Sequence, residues 1–524
     1  MNHSLSTLKH YPYQLSAHKN MREFFASYIR GILEHNDDKE ISTAMLIEMA
    51  TGSGKTFTVG SFIDYLYQLR ERYARLYKKS HEQLPRIKTL VLNDRIFLIN
   101  QLKQDFFFGD PTQGKSPILS DQFIDGISTK LYHSKTKNDD TSSEEETIVE
   151  ETKSTSQKNG DLFVFSTFQT ALGDKGPDDD GFTIIIIDEA HNLSGESYYQ
   201  AFQKYYKPLA DGTMPFVFLM SATPNKELLQ LSGDAIVHYG LAEYLADDYS
   251  PTVSYNLVVN STITPEQIDE LNQEIFRIQA IENLNEKKVE VKNLTDRVEE
   301  MLQRYGSQEE LVQDLHKRIG KECQSTVIFA PSVQEADELS EKIKKERGDE
   351  TIVGAFHSKS GDDAFHNFKS GKSKIIIAVD RLNEGIDMPN VENVVFWRGT
   401  DSDKIFKQQF GRGLRGTHIN VFDYVGGMKN FVWVNDINRE IIEIEAEREE
   451  IEADQEQLIE KERKEKVKKT RRMSIVVEGL GFQTESHEVT IQLEDFFHSI
   501  SRLNTKKLTK EQAIEEIKKL GSLD

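Results

Sequence analysis

The stretch Glu48-Met49-Ala50-Thr51-Gly52-Ser53-Gly54-Lys55-Thr56 constrains the fold more than any other part of this chain. An apolar run, Ala44 to Ile47, precedes it and is short enough to be a buried strand. Val59, Phe62, Leu66 and Leu69 follow it at the spacing of one helical face. Strand, glycine loop and helix together form the context of a phosphate-binding loop. There Thr51, Gly52, Ser53 and Gly54 let backbone N–H groups close round an anion, and the helix N-terminus adds positive dipole. Lys55 is the expected contact to the β- and γ-phosphates of ATP, and Thr56 a ligand of Mg²⁺. The general pattern has a glycine where this chain has Met49. Gly52 and Gly54 carry the tight turn.

The 524 residues leave room for two to four domains with full cores. The single cysteine, Cys323, excludes an internal disulfide and fits a reducing cytoplasm. No pair of histidines has zinc-like spacing, the N-terminus does not read as a signal peptide, and no apolar run approaches the length of a membrane span. The formal charge of −22 argues against indiscriminate polyanion binding. Much of the acid sits in runs such as Glu144 to Glu146 and Glu447 to Glu452, which leaves room for a local basic track.

Along the chain, Met21, Phe24, Phe25, Tyr28 and Ile29 predict an amphipathic helix over 18–34. Strands are expected at Ile87–Leu92, Leu162–Phe165, Ile184–Ile187 and Phe216–Met220, alternating with helices as in a parallel sheet covered on both faces. Residues 134–160 are nearly devoid of apolar side chains and read as a disordered surface insertion. From Thr264-Pro265-Glu266-Gln267, a capped helix start, apolar residues recur at three- and four-residue steps to about 320. That pattern suits either a coiled-coil-like hairpin or ordinary helices packed on a neighbour. A second alternation places strands at Thr326–Phe329, Ile352–Phe356, Lys374–Val379, Asn393–Trp397 and Ile419–Tyr424. Residues 437–470 form a long charged helix with Ile444, Ile451 and Leu458 at heptad spacing. The expected division is 1–250, 251–430 and a mostly helical accessory region, 431–524.

Behind Ile184–Ile187 stands Asp188-Glu189-Ala190-His191. Paired carboxylates at the carboxyl end of a buried strand suit Asp188 as a Mg²⁺ holder and Glu189 as the group polarising the attacking water. Here the chain resembles the superfamily 2 helicases and translocases, built from two RecA-like α/β domains in tandem, over roughly residues 10–430. Ser221-Ala222-Thr223 resembles the element coupling the nucleotide site to domain movement. Gln408, Gly411, Arg412 and Arg415 resemble the Gln-x-x-Gly-Arg-x-x-Arg element. The resemblance implies Arg415 as the arginine finger, with Arg412 beside it on the phosphates.

Within that superfamily, Asp94-Arg95 with Leu98 and Gln101, the run Asn383 to Pro389, and Gly411-Arg412-Gly413-Leu414-Arg415 resemble motor subunits of type I and type III restriction enzymes. The resemblance implies ATP and Mg²⁺ as cofactors and duplex or forked DNA as partner. It further implies backbone contacts from Arg95, Thr167, Gln169, Ser332 and Asn383, with Gly385 and Asp387 near the nucleotide. From the residues alone, the alternative is that Thr167 and Gln169 simply cap the loop after a strand. Tyr11-Pro12-Tyr13-Gln14 loosely resembles an adenine-reading element, so Gln14 is either an adenine contact or an exposed turn residue. No Asp…Glu-x-Lys nuclease constellation occurs in a suitable strand context, so any cutting activity is expected in a protein partner. The competing classes are an RNA helicase, since Asp-Glu-Ala-His also occurs in RNA-remodelling enzymes, and a nucleotide-gated scaffold.

Overall fold

The computed structural model describes residues 10–33, 43–79, 86–110, 115–136, 145–152, 160–178, 181–259, 270–302 apart from 272, 275, 276, 279 and 282, 308–320, 323–382, 388, 391–397, 402–414, 416–424, 428–458 and 473–479. The chain forms two compact units, the first running to Leu241 and the second starting at Ala242. Each is a largely parallel sheet with helices between its strands, the expected fold class.

In the first unit the strands are β1 (Ala44–Met49), β2 (Lys88–Asn93), β3 (Ile127–Thr136), β4 (Glu145–Thr152), β5 (Asp161–Thr167), β6 (Ile184–Ile187), β7 (Phe216–Ser221) and β8 (Ile236–Tyr239). Among the described residues they lie in the order β4-β3-β5-β2-β6-β7-β1-β8. The continuous apolar runs take the centre, where both faces are covered: every residue of β6 and β7 is buried. The only antiparallel pair among the described residues is β3–β4.

That pair corrects the disordered insertion expected over 134–160. Thr129 to Thr136 register against Thr152 to Glu145, and His133 lies 4.0 Å from Glu150. A sheet edge tolerates a charged strand because one side of it faces water, so poverty in apolar residues did not preclude order here. Residues 137–144 and 153–159 lie outside the described residues.

Helix α1 (Pro12–Leu33) starts earlier than the periodicity suggested, with proline at its first position. Met21 and Tyr28 are buried, and Phe24, Phe25 and Tyr28 meet the ring of Phe216 on β7. Ile29, expected on the same face, is exposed. Helix α2 (Lys55–Tyr77) packs beside α1, and His18 Nε2 lies 2.7 Å from Ser61 Oγ. Burial, with smaller contributions from His10 and Arg22, pushes His18 down from 6.5 to about 3. The unfolded chain therefore takes up this proton first as pH falls. The stability due to neutral His18 is complete above about pH 6.5 and is lost as pH drops towards 3. Between pH 6.5 and pH 5 the unfolding free energy should fall by about 2 kcal/mol from this group. Urea titrations of His18→Gln should show a flatter pH dependence than wild type.

Further along α2, Arg70 and Asp161 form a buried two-pronged ion pair of 2.6 and 2.8 Å, and Asp161 also accepts from Ile87 N at 2.9 Å. Asp161→Ala leaves the guanidinium buried without its carboxylate, a change worth about 3–5 kcal/mol. A fall of that size in the denaturant midpoint energy of the first unit is the expected result.

The second unit contains β9 (Thr252–Val259), β10 (Thr326–Phe329), β11 (Val353–Phe356), β12 (Ile375–Ala378), β13 (Asn393–Phe396), β14 (His418–Asp423) and β15 (Met473–Gly479). They run β11-β12-β10-β13-β14-β9-β15 among the described residues, all pairs parallel. Beyond residue 430 the described chain is mostly the helix Met428–Leu458, and it adds one strand, β15, to this sheet. The helix Met428–Leu458 follows β14 closely and buries Val434, Ile437 and Ile441. Of the two readings of 264–320, packing on a neighbour fits the helix Gln308–Arg318. Its Leu311, Val312 and Leu315 join Ala336, Leu339 and Ile343 in the core of the second unit.

Candidate nucleotide and nucleic-acid sites

The carboxyl ends of β6, β7 and β1 lie side by side, because β7 pairs with both neighbours. Three sequence elements are thereby brought together: Asp188-Glu189 after β6, Ser221-Ala222-Thr223 at the end of β7, and the glycine loop after β1. Ser221 registers opposite Glu48, the residue that opens that loop stretch. Ligands of open parallel sheets sit at such carboxyl ends.

Gly52 and Gly54 both take positive φ, 87° and 88°, a conformation that costs glycine nothing. Ser53 Oγ donates to Ala50 O at 2.8 Å and closes the turn. A side chain on Gly54 would also strike Gln14 Nε2, 2.9 Å from the position of a Cβ. Gln14 is therefore no exposed turn residue. It is buried, its Oε1 accepts from Tyr11 N at 3.0 Å, and its Nε2 donates to Ser53 O at 3.3 Å. The first contact is half of a capping box at the start of α1, and the second braces the loop. Tyr13, which the sequence did not single out as a site residue, donates from its hydroxyl to the same Ser53 carbonyl at 2.6 Å and stacks on Tyr239 at 4.1 Å.

Lys55 Nζ donates to Met49 O at 3.0 Å, so the ammonium is held at the base of the loop. Thr56 follows it in the first turn of α2, half-buried. Across the strand ends, Asp188 accepts from Asn93 Nδ2 at 3.0 Å. Burial raises the Asp188 carboxyl above the usual range and Glu189 adds to this, while Lys55 and the Asn93 hydrogen bond pull it down. Glu189 has φ 48°, rare for a residue with a Cβ and costing about 1–3 kcal/mol. Its carboxylate is buried 3.4 Å from His191 Nδ1. The same ring nitrogen lies 3.2 Å from Ser221 Oγ, which accepts from Thr223 N at 3.1 Å. Asn225 Nδ2 donates to His191 O at 2.9 Å. Glu189, His191, Ser221 and Thr223 are thus one connected chain of polar contacts. Asn93, His191 and Asn225 were not among the expected site residues, although His191 stood in the quoted run and Asn93 immediately before Asp94-Arg95.

The residues present fit ATP with Mg²⁺. The glycine loop supplies N–H groups, Lys55 supplies a cation, and Asp188 and Glu189 are buried carboxylates. Among the described residues no group of three or more His, Cys, Asp or Glu could hold a metal alone. Thr56 and Asp188 would therefore share the ion with phosphate oxygens.

Of the expected nucleic-acid contacts, Arg95 precedes the helix Ile96–Phe107 and its Nε lies 3.4 Å from Asp94 Oδ2. Thr167 is buried and caps the helix Phe168–Leu172, accepting from Thr170 N at 3.2 Å and donating to Thr170 Oγ1 at 2.8 Å. Its hydroxyl is thus occupied by the cap, while Gln169, two residues on, is exposed. In the second unit, Ser332 caps the helix Val333–Arg347 through Glu335 N at 3.2 Å. Gln408 is 2 % exposed, and neither end of its carboxamide has a hydrogen-bond partner among the described residues. Arg412 is buried in the turn Gly411–Gly413. A Cβ on Gly413 would fall 1.6 Å from Ile419 Cδ1, which is why glycine stands there. Asn383, Gly385, Asp387 and Arg415 lie outside the described residues.

The family of the type III restriction enzyme res subunit matches residues 7–226, and the helicase conserved C-terminal domain matches 308–417. The ATP-dependent helicase IRC3 of Saccharomyces cerevisiae is 27% identical over 261 residues, 48% of this chain and 35% of the relative. The chain therefore spans about a third of that protein's length. The pre-mRNA-splicing ATP-dependent RNA helicase PRP28 of Debaryomyces hansenii is 32% identical over 105 residues, covering 19% of this chain and 18% of its own. Among solved structures, the ATP-dependent type ISP restriction-modification enzyme LlaBIII bound to DNA aligns with 98% of this chain and 34% of its own, at 15% identity and a TM-score of 0.49. Among the described residues, no helix is long and apolar enough to cross a membrane.

Proposed function

We propose that this chain, an ATP-dependent helicase of superfamily 2 that resembles restriction-enzyme motor subunits, uses ATP hydrolysis to translocate along duplex DNA. The observation that carries the reading is the chain of contacts from Glu189 through His191 to Ser221 and Thr223. It ties the proposed hydrolytic carboxylate to the end of the neighbouring strand, so that a change at Glu189 is felt where coupling to movement is expected. ATP bound with Mg²⁺ supplies the electrophilic phosphorus and its charge neutralisation. Lys55 and the loop N–H groups orient the phosphates, Asp188 and Thr56 hold the ion, and Glu189 accepts a proton from the attacking water. Gln408, Arg412 and Arg415 of the second unit are the groups proposed to complete phosphate contacts during turnover.

Duplex DNA is preferred over RNA because of Asp94-Arg95, Leu98 and Gln101, together with the restriction-type match over residues 7–226. Arg95 and Gln169 remain the side chains proposed to meet the phosphate backbone in the first unit, and Ser332 and Asn383 in the second. A protein partner is proposed to supply any nuclease step. The deciding experiment measures ATPase stimulation by duplex DNA and by structured RNA, alongside triplex displacement and fork unwinding. Stimulation by duplex with triplex displacement is expected; a larger rate with RNA would make the chain an RNA helicase. Survival of the biological output in an ATPase-dead variant would instead make it a scaffold.

A further inference from the structure

We propose that Lys204 and Tyr205 are positioning residues for DNA: from the helix behind the Asp188-Glu189 turn they hold the short helix that presents Gln169. The inference rests on the reading of Gln169 as a backbone contact. The helix Phe168–Leu172 has five residues, far short of the roughly 12–15 at which an isolated helix holds its own shape. Its ends must therefore be held from outside. Thr167 caps the first end through Thr170 N. At the other end the last carbonyls of a helix have no partner within it and favour a nearby cation. Lys204 meets both needs, its Nζ donating to Ala171 O at 2.9 Å and to Gly173 O at 3.1 Å. The hydroxyl of Tyr205 lies 2.9 Å from Ala171 O and 3.1 Å from Pro177 O, and its one hydrogen serves either.

Both donors belong to the helix Glu196–Tyr205, which follows the turn Ala190–Ser194 with Gly195 alone between them, and that turn begins directly after Glu189. Phe168, Ala171, Phe202 and Tyr205 share one buried cluster, and the rings of Phe168 and Tyr198 meet edge to face at 4.9 Å. Burial of this kind is non-directional, whereas hydrogen bonds to particular carbonyls fix where the end of the short helix lies. The sheet supplies a second link, because Asn93 registers opposite Thr167 and donates to Asp188. Gln169 is exposed on this platform while Thr167, Lys204 and Tyr205 beneath it are buried or half-buried. A contact residue held by packed supports keeps its geometry when a ligand arrives. Without the Lys204 donor the helix end frays, and part of the energy of DNA binding goes into ordering it again.

ATPase activity of the full chain, titrated with duplex DNA, tests this alongside binding of a fluorescent duplex. Lys204→Met keeps the aliphatic stem and removes the charge. It should raise the DNA concentration for half-maximal stimulation about tenfold, the size of one lost charge-assisted hydrogen bond. The rate without DNA and the rate at saturating DNA should both stay at wild-type values. Lys204→Arg, whose guanidinium offers several donors, should restore the DNA response. Tyr205→Phe should weaken it by a smaller factor, and it carries the same comparison in a variant that loses a single hydroxyl. Gln169→Ala should shift the half-maximal concentration as Lys204→Met does, and the double variant no further than either alone. A wild-type DNA response in Lys204→Met, or an effect that simply adds to that of Gln169→Ala, would overturn the proposal and leave Gln169 as a contact. So would a DNA-free rate that falls as far as the stimulated one, which would mark Lys204 as structural only. A Gln169→Ala protein that responds to DNA like wild type would remove the contact itself, and with it the reading on which the inference rests.

Discussion

Glu189→Gln is expected to lower kcat for ATP hydrolysis by about 10²–10⁴-fold, the range for loss of a positioned general base. Glutamine keeps the volume and the hydrogen-bonding reach but cannot take the proton of the attacking water. The backbone at this position is already held at φ 48°, and His191 lies 3.4 Å from the carboxylate, so the replacement should settle into the same place. ATP affinity should stay near wild type, because the groups assigned to phosphate binding sit on the loop after β1. The check is phosphate release under single turnover, paired with binding of a fluorescent nucleotide. A variant that hydrolyses at the wild-type rate would remove Glu189 from the chemistry and leave Asp188 as the carboxylate to test.

Lys55→Ala should behave differently, weakening nucleotide binding and hydrolysis together. Its ammonium is the fixed cation of the loop, held by Met49 O at 3.0 Å, and its charge is felt at Asp188. Removing a preorganised charge from the transition state costs about 10²–10³-fold in rate, and the ground-state phosphates lose the same partner. In kinetic terms kcat falls and KM rises, whereas Glu189→Gln moves kcat alone. Folding should be untouched, since Lys55 is only half-buried. Unchanged KM in a folded Lys55→Ala protein would contradict the assignment of the loop.

How legible was this arrangement before the structure? The central strands were, since Ile184–Ile187 and Phe216–Met220 are apolar at every position and only a doubly covered strand needs that. The edges were not. β4 is rich in glutamate and threonine, and composition alone cannot distinguish a solvated edge from a chain with no partner. β9 and β15 escaped notice because a strand's partner is set by distant residues. The site divides in the same way. Lys55, Asp188, Glu189 and Ser221 declared themselves through local spacing. The bracing of the loop by Tyr13 and Gln14 depends on where α1 is laid across it, about 40 residues away in sequence. Thr167 shows the converse: a residue matched by motif turned out to spend its hydroxyl on a helix cap.

The order of the second sheet bears on how the protein is made. β9 is the first of its strands to leave the ribosome, yet its neighbours are β14 and β15. Thr252 must wait for His418, 166 residues later, before the register they share can form. At synthesis rates of about 5–20 residues per second, that is a delay of roughly 10–30 s. Throughout it, an apolar strand carrying Val253, Tyr255 and Leu257 has neither of its neighbouring strands. All eight strands of the first sheet are by then already synthesised. Newborn chains should therefore be most vulnerable to aggregation and to chaperone capture in the interval between β9 and β14, and a ribosome stalled there should carry a folded first unit trailing a sticky strand.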